Sequence, residues 1–236
     1  MPNVSLLVPA YNEEFSIEKV LRDHLELFLR LESQKLIGNF EILVLDDGSS
    51  DRTNYYASKV AEKSNKIKII SNSKPSGLQS AFDQLYKLAT FEWTVLTPGD
   101  GQWPAEGIER MIKMAVSKNW ESGIISIREN KFQTYTFYRY ILSFLFRFYA
   151  YLVLREDIID PGSIKLLPSN LNSLVYKTSS PLQEIERIRK FRLQNSNQLM
   201  FVKVPWAKRN SGKATGASIE TLESVFRDLL ILVRKH

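Results

Sequence analysis

Four short apolar runs, each handed through a polar loop to a helical repeat, constrain this chain more than any other feature. Val4–Pro9 reads as a buried strand, and Phe40–Leu45, the shorter Lys66–Ile70 and Trp93–Leu96 read as strands after it. Between them, Ile17, Val20, Leu21, Leu25 and Phe28 repeat at helical spacing, a helix is expected to start between Asp51 and Thr53, and Gly77–Ala89 reads as another. Pro104, a favourable first-turn residue, opens a fourth helix marked by Ile108, Met111, Ile112 and Ala115. Strand–helix alternation of this kind demands βαβ units, right-handed crossovers and a mostly parallel sheet flanked by helices, so the fold class is α/β. On such sheets ligands bind beyond the carboxyl ends of the strands. The loops there carry Tyr11, Asn12 and Glu13, then Asp46, Asp47 and Asp51, then Asp100 and Gln102.

The second half is organised differently. Gly123–Arg128 reads as a strand ending on an arginine. Tyr135–Leu154 is dense in aromatic and aliphatic residues, broken by Arg139 and Arg147 on nearly one helical face. Two readings stand for it: a buried helix or hairpin, or a pair of interfacial helices lying on a bilayer. A turn cluster follows at Asp157–Ser163, a helix around Leu182, Ile185 and Ile188, and a strand at Leu199–Pro205. Lys208–Lys213 is a basic loop suited to phosphate, and Ile219–Val233 is a closing amphipathic helix. With no linker in view, residues 1–236 are expected to form one domain. Residues 1–103 make the nucleotide-binding half and 104–236 the acceptor half, with interfacial helices at about 132–155.

Composition narrows the chemistry. There are no cysteines, which excludes disulfides, thiolate nucleophiles and Cys-ligated metals. Of the two histidines, His24 lies inside a helical pattern and reads as structural, and His236 is terminal. The work must fall to carboxylates, Arg, Lys, Tyr, hydroxyls or backbone. A formal charge of +6 suits anionic ligands or an acidic membrane surface but does not argue for nucleic acid. No Gly-x-Gly-x-x-Gly or P-loop pattern supports a Rossmann dehydrogenase or P-loop NTPase. No leader and no stretch of about 18 apolar residues is present, so the expected location is the cytoplasmic side, at the inner face of a membrane.

Three loops together carry a resemblance. Val8-Pro9-Ala10-Tyr11-Asn12-Glu13, Val44-Leu45-Asp46-Asp47-Gly48-Ser49-Ser50-Asp51 and Gly99-Asp100-Gly101-Gln102 resemble the family 2 glycosyltransferases of GT-A fold. Arg128, Arg139 to Ser143, Asp160-Pro161-Gly162-Ser163 and Val204-Pro205 through Arg209 to Lys213 resemble, more narrowly, the dolichol/polyprenyl-phosphate mannose synthase-like branch.

The resemblance implies an inverting transfer from a UDP- or GDP-sugar to a polyprenyl or dolichyl phosphate at a membrane surface. Pro9, Tyr11 and Glu13 would line the nucleotide pocket, with Asp47 on the base and Asp46 supporting it. Asp51 reads rather as a helix cap. Asp100 and Gln102 would hold Mg²⁺ or Mn²⁺ on the donor diphosphate. Here the chain departs from the family's Asp-x-Asp pattern: Pro98 stands at the first carboxylate, leaving Asp100 as the motif's single carboxylate. Arg128, Arg139 and Ser143 would hold the acceptor phosphate, and Arg209 and Lys213 the donor diphosphate. A lipid phosphate is already anionic and needs no general base, whereas a saccharide hydroxyl would need one, from Asp157, Asp160 or Glu184. With no spanning helices, the enzyme would be peripheral or would use a membrane-protein partner. A third possibility is a non-catalytic nucleotide-sugar-binding protein, prompted by Pro98.

Overall fold

The computed structural model describes residues 1–129, 143–144, 147–148, 151, 160, 162–180, 182–194, 198–208, 223–225 and 227–228. The first half follows the alternation: β1 (Val4–Ala10), α1 (Ile17–Ser33), β2 (Phe40–Asp46), α2 (Thr53–Ala61), β3 (Ile67–Ser71), α3 (Leu78–Leu88), β4 (Trp93–Leu96) and α4 (Ala105–Ser117). Then come β5 (Gly123–Arg128), β6 (Lys165–Pro168), a 3₁₀ turn at Ser169–Ser173, α5 (Gln183–Leu193) and β7 (Leu199–Val204).

The strands form one seven-stranded sheet in the order β3-β2-β1-β4-β6-β5-β7. β1 pairs in parallel with β2 and β4, so Ala10 lies opposite Asp46 and Leu7 opposite Leu96. The carboxyl ends of these three strands therefore open on one edge. β6 is the exception, antiparallel to both β4 and β5, while β5 and β7 are parallel. The sequence reading placed no strand at 165–168. Four residues with a lysine at one end and a proline at the other carry too little periodicity to announce one.

β1 and β2 are buried on both faces, and alternate residues feed different cores. Val4, Leu6 and Val8 join Ile17, Leu21 and Phe28 of α1 and Ile108, Met111 and Ile112 of α4. Leu7, Leu43, Leu45 and Leu96 join Ala81, Leu85 and Tyr86 of α3 on the other face. A third cluster packs Ile125 and Leu167 against Leu182, Ile185, Ile188 and Phe191. Gly123 is needed there, since a Cβ would lie 2.7 Å from both Leu167 and Phe191 side-chain atoms.

His24 is buried in α1 with Nδ1 2.7 Å from the Val20 carbonyl oxygen, and burial pushes its pKa down. It is a core residue. Of the closing helix, 223–225 and 227–228 are helical. Buried Asp228 accepts hydrogen bonds from the backbone N–H groups of Ser179 and Ser180, at 2.8 and 2.7 Å, tying that helix to the start of α5.

Candidate active site

The corner at the carboxyl edge is stitched together mainly by backbone. The Gly99 N–H donates to the Pro9 carbonyl (2.9 Å), the Asp47 N–H to Ala10 (2.9 Å) and the Thr97 N–H to Leu7 (2.9 Å). Asn12 takes a left-handed conformation, φ 54°. Its side-chain Oδ1 accepts from the Ser50 N–H at 2.8 Å, and its own N–H donates to Ser49 Oγ at 2.9 Å. The loops after β1 and β2 are thus interlocked. Asp51 accepts from the N–H of Thr53, the first residue of α2, in keeping with a capping role.

Ser16 was not singled out from sequence, yet it bridges two loops. Its hydroxyl donates to the Gly99 carbonyl at 2.8 Å and lies 3.3 Å from Glu13 Oε2. A serine at the mouth of a helix reads only as a cap. Glu13 itself is buried, and its N–H donates to Thr53 Oγ1 at 2.7 Å. Pro9 is buried in β1, whereas Tyr11 is exposed.

The two adjacent carboxylates after β2 are both buried. Asp46 Oδ1 accepts from the Ser49 N–H at 3.1 Å, closing its own turn. Asp47 reaches across to the loop before α3. It accepts from Asn72 Nδ2 (2.7 Å), the Ser76 N–H (2.9 Å) and hydroxyl (2.7 Å), and the Gly77 N–H (3.0 Å). It therefore fixes the loop that leads into α3, a partnership that sequence spacing does not reveal. Gly48 makes this approach possible: at φ 71° it packs so closely that a Cβ would meet the Lys74 and Pro75 backbone within 2.7 Å.

Asp100 is part-buried, and its Oδ1 accepts from the Gln102 N–H at 3.0 Å. Gly101 between them has φ 72°, which favours glycine. Gln102 is paired on both sides with the chain leaving β7. Its carbonyl accepts from the Ala207 N–H (2.9 Å), and its Nε2 donates to the Ala207 carbonyl (3.3 Å). Among the described residues no cluster of three or more His, Asp or Glu could hold a metal by itself. Asp100 offers a hard oxygen donor, which fits a hard cation that takes other ligands from phosphate and water.

Arg128 ends β5 beside this corner. It is 8% exposed, Asp160 is 1% exposed, and the two form a two-pronged pair. Nε donates to Oδ2 at 2.8 Å, Nη2 donates to Oδ1, and the Arg128 N–H adds a third bond to Oδ2 at 3.2 Å. The guanidinium also faces two indoles, 5.0 Å from the Trp206 ring centroid and 5.8 Å from Trp103. Asp160 thus serves Arg128. Glu184 is likewise buried and engaged. It accepts from the Tyr86 hydroxyl at 3.2 Å and lies 3.7 Å from both Lys165 Nζ and Arg187 Nε. Burial pushes the Lys165 ammonium down and the Tyr86 phenol well up. Arg187 stacks on the Tyr86 ring at 3.6 Å, beside a recess of about 230 Å³ lined by Asp83, Asn172, Tyr176 and Gln183.

The remaining candidates divide. Arg139, Asp157, Arg209 and Lys213 lie outside the described residues. Ser143 is part-buried, and Ser143, Phe144, Arg147, Phe148 and Tyr151 are each helical. Phe144, Phe148 and Tyr151 are 64%, 48% and 48% exposed, and the two Phe rings stack with centroids 6.5 Å apart. Among the described residues no helix is long and apolar enough to cross a membrane.

This sheet order, with a carboxylate corner at its open edge, defines the GT-A class of glycosyltransferase fold. Solved structures of glucosyl-3-phosphoglycerate synthase from Mycobacterium tuberculosis share it. The complex with Mn²⁺, UDP-glucose and phosphoglyceric acid gives a TM-score of 0.72 at 14% identity, covering 98% of this chain and 80% of that one. The family model described as "Glycosyl transferase family 2" matches residues 5–166, and the chain belongs to that family. It is 33% identical over 142 residues to a dolichol-phosphate mannosyltransferase of Pyrococcus furiosus, a match covering 59% of this chain and 38% of that protein. It is 30% identical over 149 residues to a dolichyl-phosphate beta-glucosyltransferase of Trichomonas vaginalis, covering 59% and 45%. The chain therefore spans less than half the length of these curated relatives.

Proposed function

We propose that this chain is an inverting glycosyltransferase that moves a sugar from a UDP- or GDP-sugar to a polyprenyl or dolichyl phosphate at a membrane surface. The observation that carries the reading is the juxtaposition of the Asp100–Gln102 corner with Arg128. A carboxylate suited to a cation on the donor diphosphate stands next to a buried guanidinium suited to a second anion. The names of the dolichyl-phosphate relatives support the same acceptor class.

Asp100 would hold Mg²⁺ or Mn²⁺, with Gln102 orienting a phosphate or a water ligand. Bound there, the cation would offset the charge of the departing nucleoside diphosphate. Pro9, Tyr11, Glu13, Asp46 and Asp47 would form the nucleotide side of the cleft. Arg128, with Arg139 and Ser143, would draw the acceptor phosphate in, and Arg209 and Lys213 would face the donor diphosphate. No general base is required, because the acceptor oxygen is anionic at neutral pH. Two described carboxylates support this reading: Asp160 is held by Arg128, and Glu184 is buried among cations. The exposed Phe144, Phe148 and Tyr151 suit a bilayer interface at the cytoplasmic face, directly or beside a membrane-protein partner.

The test is transfer by the purified protein from radiolabelled UDP- and GDP-sugars to polyprenyl phosphate in vesicles, with Mg²⁺ or Mn²⁺. Formation of an acid-labile glycosyl phospholipid is expected. Absence of product with every donor, alongside product on a free saccharide, would replace the acceptor assignment. Nucleotide-sugar binding without turnover on any acceptor would make it a binding protein.

A further inference from the structure

We propose that Asp160, Trp103 and Trp206 are positioning residues that hold the Arg128 guanidinium in one plane for an anionic acceptor. The inference rests on the acceptor-phosphate reading above. A buried ion pair is a poor source of stability, because desolvating both partners offsets most of their attraction. What a two-pronged pair secures is direction. Asp160 engages both Nε and Nη2 and also the Arg128 backbone N–H, which fixes the side chain at both ends. Gly162, two residues beyond Asp160, would bring a Cβ within 3.3 Å of Nη2, so that turn fits closely around the fork.

The two indoles then fix the guanidinium relative to the rest of the site. Trp103 follows Gln102, and Trp206 precedes Ala207. Gln102 and Ala207 are bonded to each other in both directions. The walls against Arg128 are therefore the next-door residues of a clamp that closes on the Asp100 corner. A salt bridge with only a packing role has no need of that registration. Arginine suits the task because its planar fork can be held on one edge and stacked on a face while remaining charged.

The experiment measures farnesyl phosphate binding calorimetrically in wild type, Asp160→Asn, Trp206→Leu and Trp206→Phe. UDP or GDP, whichever binds wild type, is titrated in parallel. Asp160→Asn and Trp206→Leu are expected to weaken farnesyl phosphate by ~10- to 100-fold, as expected when a buried charged partner or its wall is lost. Trp206→Phe, which keeps an aromatic wall, should stay within ~3-fold, and nucleotide affinity should move by less than ~3-fold throughout. Unchanged farnesyl phosphate affinity in folded Trp206→Leu would overturn the proposal. So would tighter binding by Asp160→Asn, which would make the carboxylate a mere neutraliser. If Asp160→Asn shows no melting transition, Trp206→Leu decides alone. Wild type that binds nucleotide but not farnesyl phosphate would overturn the acceptor reading and this inference together, whereas a failure confined to the variants strikes the inference only.

Discussion

Asp47 and Asp100 occupy similar places in the sequence, each in the loop that follows an apolar strand, yet the structure bonds them differently. Asp47 is 5% exposed, and four donors from Asn72, Ser76 and Gly77 converge on it. It is an internal strut, organising the wall of the cleft and the start of α3. Asp100 is part-buried and receives the N–H of Gln102 within its own turn. A neighbouring loop supplies donors to one carboxylate, and the turn of the other supplies it with one. The β3–α3 loop supplies them to Asp47.

Four substitutions would break or sharpen that contrast. The largest effect is expected at Asp100→Ala: a loss of ~10²- to 10³-fold in transfer rate, typical of removing one preorganised electrostatic contact. Its melting temperature should remain within ~2 °C of wild type, because a part-exposed turn carboxylate adds little to stability. A large fall in melting temperature would place Asp100 with the struts. Asp47→Ala should do the reverse, lowering stability by ~2–4 kcal/mol as several buried donors lose their acceptor, or roughly 4–16 °C for a domain of this size. Its nucleotide affinity should fall with the disordered wall. A thermal denaturation curve unchanged from wild type would refute the strut assignment.

Ser16→Ala removes the hydroxyl bridge from the Glu13 loop to Gly99, and should cost ~1 kcal/mol with a modest rise in donor KM. Smallest is Glu109→Gln, a control away from both loops. Arg30 and Lys113 hold Glu109 at a pKa of about 2, linking α1 to α4. The folded pKa lies below the unfolded one, so this stabilisation is present above the ordinary carboxylate range and fades as pH falls toward about 2. Melting temperatures should show Glu109→Gln flatter than wild type across that acid limb, by a fraction of a kcal/mol in low salt, with kinetics unmoved. An altered donor KM would deny it control status.

The first half of the fold is legible from sequence for a physical reason. Strands buried on both faces must be apolar throughout, and each is followed by a helix whose buried positions fall at regular spacing. The loops at their carboxyl ends follow from that alternation, which is how Tyr11, Asp47 and Asp100 could be placed on one edge without coordinates. The partnerships were not legible. Asp160 reads as part of a proline–glycine turn, and nothing in its neighbourhood signals that it closes on Arg128, 32 residues earlier. Glu184 reads as a candidate base and Lys165 carries no signal, but the first lies on a helix that buries Gln183, Glu184, Glu186 and Arg187 and the second in a strand of only four residues. A helix that buries polar residues escapes any reading based on hydrophobic periodicity.

The antiparallel strand β6 has a further consequence, for biosynthesis. It lies between β4 and β5, yet it is made after both. As the chain emerges from its amino end, β1 to β4 can assemble, but β4 keeps a naked rim of N–H and C=O groups until Lys165–Pro168 arrives. Unpaired rims of this kind invite pairing with the wrong chain. The nascent polypeptide therefore passes through a window of vulnerability that ends only when β6 zips β4 to β5. Truncations ending before residue 165 should aggregate, and those extending past β7 should not.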